Sequence, residues 1–505
     1  MANNVLVYDV NDKPKWTKLL GFAFQQVLAV LAATIAVPTI IGMPIAIPSA
    51  ILGAGLGTLV YLLFTKFKSP VIISSSFAFL GPLANALAFG YMGIALGALF
   101  AGLVYVIIAI IVKFVGTAWI EKIMPPVVIG PTVALIGLSL AGSAMGDVVK
   151  ANGSTSNGGY NLVAIVCALV TFFVVVFCTV QNKRKNLRLF PFILGIAAGY
   201  AVAAIFSGIG YGCNVDYLKI TSWQPLVDNF SPVTVNSFFS VPKLTLVEGI
   251  KELATGKVSP EILAANPDAQ PLNWAGVATV ALAFIPVAFV TYAEHVADHI
   301  NLGTIINRHL IREEPGLTRT LLGDGVGSIV GTFFGICPNT TYGESVGCVA
   351  ITKNASIRTI FVAALMLIVL AFLAPITSFL RTIPSCVMGG VCLTLYGFIA
   401  VSGLKMFKFL DLSESKNLFT VSAILIAGIG GLAIKIPYQI NGDGTVAKTI
   451  EITSIATALI LGILTYTFCN LIEKHNKPET EVAIDTTERL AEYNKEINEK
   501  NKKGK

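Results

Sequence analysis

Charge is the scarcest feature of this chain: 12% of its 505 residues are Asp, Glu, Lys or Arg, about half the share in an ordinary soluble domain. With 55% hydrophobic residues, that excludes a single water-soluble core. Paired metal-ligand cysteines are also missing. The eight cysteines are scattered, mostly inside apolar runs (Cys167, Cys178, Cys348, Cys392, Cys469), without CxxC or other ligand spacing, and read as small buried apolar side chains. The start, MANNVLVYDVNDKPKWTKLL, lacks the apolar stretch and small-residue cleavage site of a signal peptide, so the first span is expected to be retained. No single basic face gathers the net charge of +7. The cations sit between apolar runs, which points to a lipid bilayer as partner and not to nucleic acid.

What is present is a succession of apolar runs of roughly twenty residues, each long enough to cross the hydrocarbon as a helix, at a mean hydropathy of +0.77. Apolar length and turn signals predict spans near 19–42, 48–64, 71–88, 92–116, 126–145, 161–180, 189–210, 274–297, 320–336, 339–352, 357–380, 384–404, 416–434 and 453–473. That is about fourteen crossings. The positive-inside rule supports the count. With the N-terminus inside, the inner loops collect Lys66 and Lys68, Lys113 and Lys122, and Lys183, Arg184, Lys185 and Arg188. The same side then gathers Arg308, Arg312 and Arg319, Lys353 and Arg358, and Lys405, Lys408 and Lys416. The outer loops hold isolated cations such as Lys150, Arg381 and Lys435. The expected location is the cell membrane, with both termini cytoplasmic.

Two spans do not read as plain helices. PVIISSSFAFLGP, residues 70–82, is bracketed by prolines and rich in Ser, while PNTTYGESVGCVAIT, residues 338–352, is polar at its start and interrupted by glycine. Unwound backbone at membrane depth is tolerated only where protein buries it or water reaches it. Broken spans at matching places in two halves point to a transporter's midplane site. These are the third and tenth of fourteen, the third of each seven, and because seven is odd the halves would insert upside down relative to each other. Two polar pieces remain: an outside excursion, 211–272, expected to hold a short amphipathic helix around 245–265, and the mixed-charge tail 474–505.

The eighth span ends FVTYAEHVADHINLG. Glu294 and Asp298, four apart, project from one helix face, and ionisable groups inside a span usually face a cavity. Two such carboxylates repel as anions, so one is expected to carry a proton part of the time, as proton coupling requires. His295 and His299 share the spacing, but Glu does not follow the first His as in a zinc protease, and no third ligand of comparable quality appears, so no metal is expected. In the tenth span, Gly343 lets the backbone approach a ligand and Glu344 would open a half-helix, bringing N–H donors and a carboxylate together at mid-membrane. A flat heterocycle with alternating C=O and N–H groups matches that set. Phe77 of the other broken span is available to stack on its ring.

AEHVADH, PNTTYGESVG, SSSFAFLGP and PSCVMGGVCLTLYG resemble the nucleobase/ascorbate transporter family, specifically its bacterial uracil permease branch, over nearly all of residues 17–470. The resemblance implies an all-α polytopic membrane fold of fourteen spans in two inverted repeats of seven, with short strands in spans 3 and 10. It implies a core domain (1–118 and 273–383), a gate domain (119–210 and 384–473), the outer insertion 211–272 and the cytoplasmic tail 474–505. By position, Glu294 and Glu344 match the carboxylates that hold the nucleobase, and Phe77 the stacking aromatic. Tyr342 and Gly343 match residues lining the site, Tyr396 a gate-side tyrosine, and Asp324 in LLGDGVG an acidic or amide position supporting the site. Asp298 and Asp324 join the two glutamates in the proton-coupling set. Three positions depart from the pattern: Ser345 stands where Asn is usual, and Asp298 and Gln26 stand where uracil permeases carry His.

The expected function is import of a nucleobase, uracil first, by proton symport, with the core shifting against the gate. Sodium is an alternative coupling ion, and a homodimer through the gate domains is implied by the resemblance. A purine, xanthine or urate carrier of the same fold is the alternative substrate class. An anion exchanger or channel would place cationic or neutral donors at the broken spans, where this chain has glutamates. No nucleophile with a nearby base suggests an enzyme, and no cofactor is expected.

Overall fold

A bilayer offers a spanning segment no water to bond its backbone, so the apolar runs are driven into helices. The computed structural model describes residues 6–150, 160–181, 187, 191–440 and 446–476. The loop cations Lys183, Arg184, Lys185 and Arg188 and the tail from 477 onward lie outside the described residues.

The first half runs α1 (Trp16–Ile40), α2 (Ile47–Phe64), β1 (Ile73–Ser75), α3 (Leu80–Leu87), α4 (Gly90–Val115), α5 (Ala118–Ile123), α6 (Pro126–Ser139), α7 (Ala141–Val149), α8 (Leu162–Val180) and α9 (Pro191–Gly212). The outer excursion holds α10 (Gln224–Phe230), α11 (Thr245–Thr255) and α12 (Pro260–Ala265). The second half runs α13 (Trp274–Ile306), α14 (Gly316–Phe334), β2 (Asn339–Thr341), α15 (Gly343–Thr352), α16 (Ile357–Phe372), α17 (Ala374–Leu380), α18 (Ser385–Lys405), α19 (Ser415–Ile429), β3 (Ile434–Ile440), β4 (Val446–Ile452) and α20 (Ser454–Asn476).

Among the described residues, nine helical segments are long and apolar enough to cross a membrane and three more are shorter apolar helices. With α14 and the half-helix α15 they account for the fourteen expected spans, and both interrupted spans contain a three-residue strand. Three details differ from expectation. The eighth span continues to Ile306, so AEHVADH lies inside a 33-residue helix and not at its end. The helix expected at 245–265 is two, parted where Gly256 adopts φ +64 and Pro260 starts a new turn. A hairpin, β3 with β4, joins α19 to α20.

Two packing groups emerge. In one, α14 lies against α2 and α4, α13 against α4, and α16 against α2 and α1. Small residues permit the closest approach: a Cβ on Gly53 of α2 would stand 2.2 Å from the carbonyl oxygen of Gly331 on α14. In the other, α6 and α8 pack on α18, α8 on α9, and α19 on both α20 and α6. A Cβ on Gly403 of α18 would meet the backbone nitrogen of Ala134 at 2.2 Å. The segment before α1 is pinned beside the α15–α16 turn, with Val7 N donating to Lys353 O at 2.8 Å and Ala355 N to Tyr8 O at 2.9 Å.

Candidate functional site

The site begins with backbone that has no helix to satisfy it. β1 and β2 pair antiparallel, Ile73 opposite Thr341 and Ser75 opposite Asn339, and neighbouring side chains take up the groups the pair leaves over. Thr58 Oγ1 accepts from Ile73 N and donates to Ile73 O, both at 3.1 Å. Ser345 Oγ accepts from Ile72 N at 3.1 Å, Ser328 Oγ from Asn339 N at 3.0 Å, and Pro338 O from Ser76 N at 3.0 Å. Asn339 Nδ2 donates to Gly53 O at 2.9 Å across the tight α2–α14 contact. This settlement of polar groups is what makes broken spans affordable in hydrocarbon.

Immediately after β2, α15 starts at Gly343 with Glu344 in its first turn, where unpaired N–H groups and the helix dipole favour an anion or a carbonyl oxygen. Gly343 is exposed, Glu344 half-buried. Both open onto a cavity of about 430 Å³ that Glu294 and Asp298 of α13 also line. One wall comes from α1, α13 and α15 (Leu28, Ala297, Gly347), the facing wall from α6, α8, α9 and α18 (Val133, Thr179, Phe192, Phe398). The cavity therefore lies between the two packing groups, and it reaches Lys405 at the last turn of α18.

The other expected site residues stand outside that lining. Phe77 meets Tyr396 of α18 edge-on, ring centroids 5.1 Å apart. Tyr342 is buried and its hydroxyl donates to Ser75 O at 3.3 Å. Asp324 sits in the middle of α14, 1% exposed. It is no helix cap, and it lies off the cavity that the other acids share.

Successive helix positions turn by about 100°, so His295 and His299 face away from the cavity. His295 Nδ1 lies 2.7 Å from Asp324 Oδ2 and its Nε2 3.1 Å from Thr320 Oγ1. Thr340 of β2 donates to the same Asp324 oxygen at 3.4 Å. His299 Nδ1 donates to His295 O at 2.7 Å, and its Nε2 lies 2.7 Å from the Tyr61 hydroxyl, which also bonds Ser69. Two of the three positions that depart from the family pattern meet: Ser345 Oγ donates to Gln26 Oε1 at 2.9 Å, and Gln26 Nε2 donates to Ser345 O at 3.4 Å. Tyr61, Thr58, Thr340 and Ser328 carry no signal of this role in the sequence, because each finds its partner in a distant span.

No group of three or more His, Cys, Asp or Glu among the described residues has the arrangement to hold a metal ion. The donor set is carboxylates and amide N–H groups beside an apolar wall, suited to a small neutral polar ring.

A family model described as "Permease family" (Xan_ur_permease) matches residues 17–436. The chain is 34% identical to the uracil permease of Bacillus caldolyticus over 91% of this chain and 94% of that one. It is also 34% identical to the uracil permease of Bacillus subtilis over 97% and 99%. Among solved structures, murine Solute Carrier 26 family member A9, titled an anion transporter in the inward-facing state, superposes with a TM-score of 0.58 at 10% identity, covering 92% of this chain and 69% of that one. That likeness is one of fold.

Proposed function

This chain belongs to the nucleobase/ascorbate transporter family, in its uracil permease branch, and from that premise we propose that it imports uracil by proton symport. The observation that carries the reading is the convergence of Glu294, Asp298, Glu344 and the exposed amide edge of Gly343 on one cavity between the packing groups. A carboxylate accepts from ring N–H groups while the α15 amides donate to ring C=O groups. Glu344 favours uracil over a purine, since by resemblance purine carriers have Gln there.

The two groups act as core and gate, each assembled from both of the inverted halves, with Phe77 and Tyr396 closing the outer side and the cavity open on the face that carries Lys405, the cytoplasm. A proton taken up by Glu294, Asp298 or Glu344 offsets the cost of carrying their charge through the bilayer, and the core then slides against the gate. Asp324 supports these acids from behind, through His295 and Thr340. An anion exchanger is disfavoured because three of the four charged residues lining the cavity are acids.

The test is uptake of labelled uracil into vesicles with and without an imposed proton gradient, with xanthine as competitor and sodium present or replaced. Uptake that follows the proton gradient, ignores sodium and resists xanthine is expected. Uptake indifferent to the proton gradient would remove the symport claim.

A further inference from the structure

The cavity is larger than its polar end requires. About 430 Å³ falls among pockets that enclose drug-sized ligands (roughly 300–1,000 Å³), whereas a single six-membered ring occupies only the part beside the acids. From Glu344 to Ile351 both the cavity and α15 run on for seven residues, about 10 Å of helix. Over that length the lining is apolar: Leu28, Val133, Phe192, Ile351, Phe398 and Val401. Polar groups return with Thr179 of α8 and with Ser402 and Lys405 near the end of α18.

We propose that this cavity binds pyrimidines bearing an apolar arm on their carbon–carbon edge, and that such compounds block the carrier from the cytoplasmic side without being carried. The inference rests on the nucleobase reading above. The ring's amide and carbonyl groups find carboxylates and helix N–H groups together at the acid end, so that edge turns toward the acids. The remaining edge, its two ring carbons, then faces the apolar stretch. An arm placed there touches α1 and α15 on one side and α6, α9 and α18 on the other, bridging the two packing groups. Sliding one group past the other would strip those contacts away, so the armed compound holds the carrier where it found it.

Each buried methylene is worth about fourfold in affinity. Labelled uracil uptake is measured in inside-out and right-side-out vesicles against 5-benzyluracil, 6-benzyluracil and unlabelled uracil. The better benzyl compound is expected to inhibit inside-out vesicles at a concentration about 30-fold below uracil's, with no accumulation of its own label. Val401→Trp, which fills the apolar stretch away from the acids, is expected to weaken the benzyl compound at least tenfold while uracil uptake persists. Benzyl compounds no stronger than uracil, their accumulation as substrates, or indifference to Val401→Trp, each with uracil uptake intact, would overturn this inference alone. Absence of uracil uptake would overturn the nucleobase reading and this inference with it.

Discussion

Glu294 and Asp298 occupy one side of α13, His295 and His299 another, and the two pairs differ in almost every physical respect. The acids open onto a cavity and Asp298 Oδ2 has no hydrogen-bond partner, whereas both imidazoles are 1% exposed or less and every ring nitrogen has a partner. Six consecutive residues thus supply a face open to the cavity and a face that fastens α13 to α14 and α2. The fastening matters to the working face because the strand between them, β2, is tied to the same Asp324 through Thr340. Of that carboxylate Oδ2 is bonded and Oδ1 is not, and the bonds that are made hold β2 and α13 in place behind the acids.

Five substitutions sharpen that contrast. Glu294→Gln or Glu344→Gln is expected to weaken uracil uptake by about 2–5 kcal/mol, thirtyfold or more, with an unchanged melting temperature in detergent. Asp324→Ala removes the partner of His295 and Thr340 together and is expected to cost about 3 kcal/mol of stability, read as a lower melting temperature. Gly331→Ala drives a Cβ to within 2.2 Å of Asn339 Nδ2 and is expected to cost about 1–3 kcal/mol by displacing the mount of β2. Ser345→Ala breaks the Gln26 pairing and the bond from Ile72 N; a loss of about 1 kcal/mol should appear as a severalfold rise in KM with the maximal rate retained. Uptake surviving Glu344→Gln, or stability surviving Asp324→Ala, would erase the distinction between the faces.

Much of this was legible in the sequence. Proline brackets and serines marked the span holding β1, PNTTYGE marked the span holding β2 and α15, and the i,i+4 spacing put Glu294 with Asp298. Periodicity cannot say which distant span a helix face meets, so the partnership of His299 with Tyr61, or of Gln26 with Ser345, 319 residues apart, was invisible. Phe77 was readable as an aromatic near the site but not as the partner of Tyr396. The β3–β4 pair carries a signal of its own: Ile434, Ile436, Ile450 and Ile452 alternate about an Asn-Gly-Asp-Gly stretch, the pattern of paired strands.

The division of α13 is tested most directly by measuring labelled-uracil binding and thermal unfolding on the same purified samples of Glu294→Gln and His295→Leu. The expected result is a contrast: Glu294→Gln unfolds at the native temperature but binds at least thirtyfold more weakly, and His295→Leu unfolds earlier while its folded fraction, its acids less firmly held, loses only a few-fold in affinity. Native-strength binding by Glu294→Gln, or native stability in His295→Leu, would contradict the account.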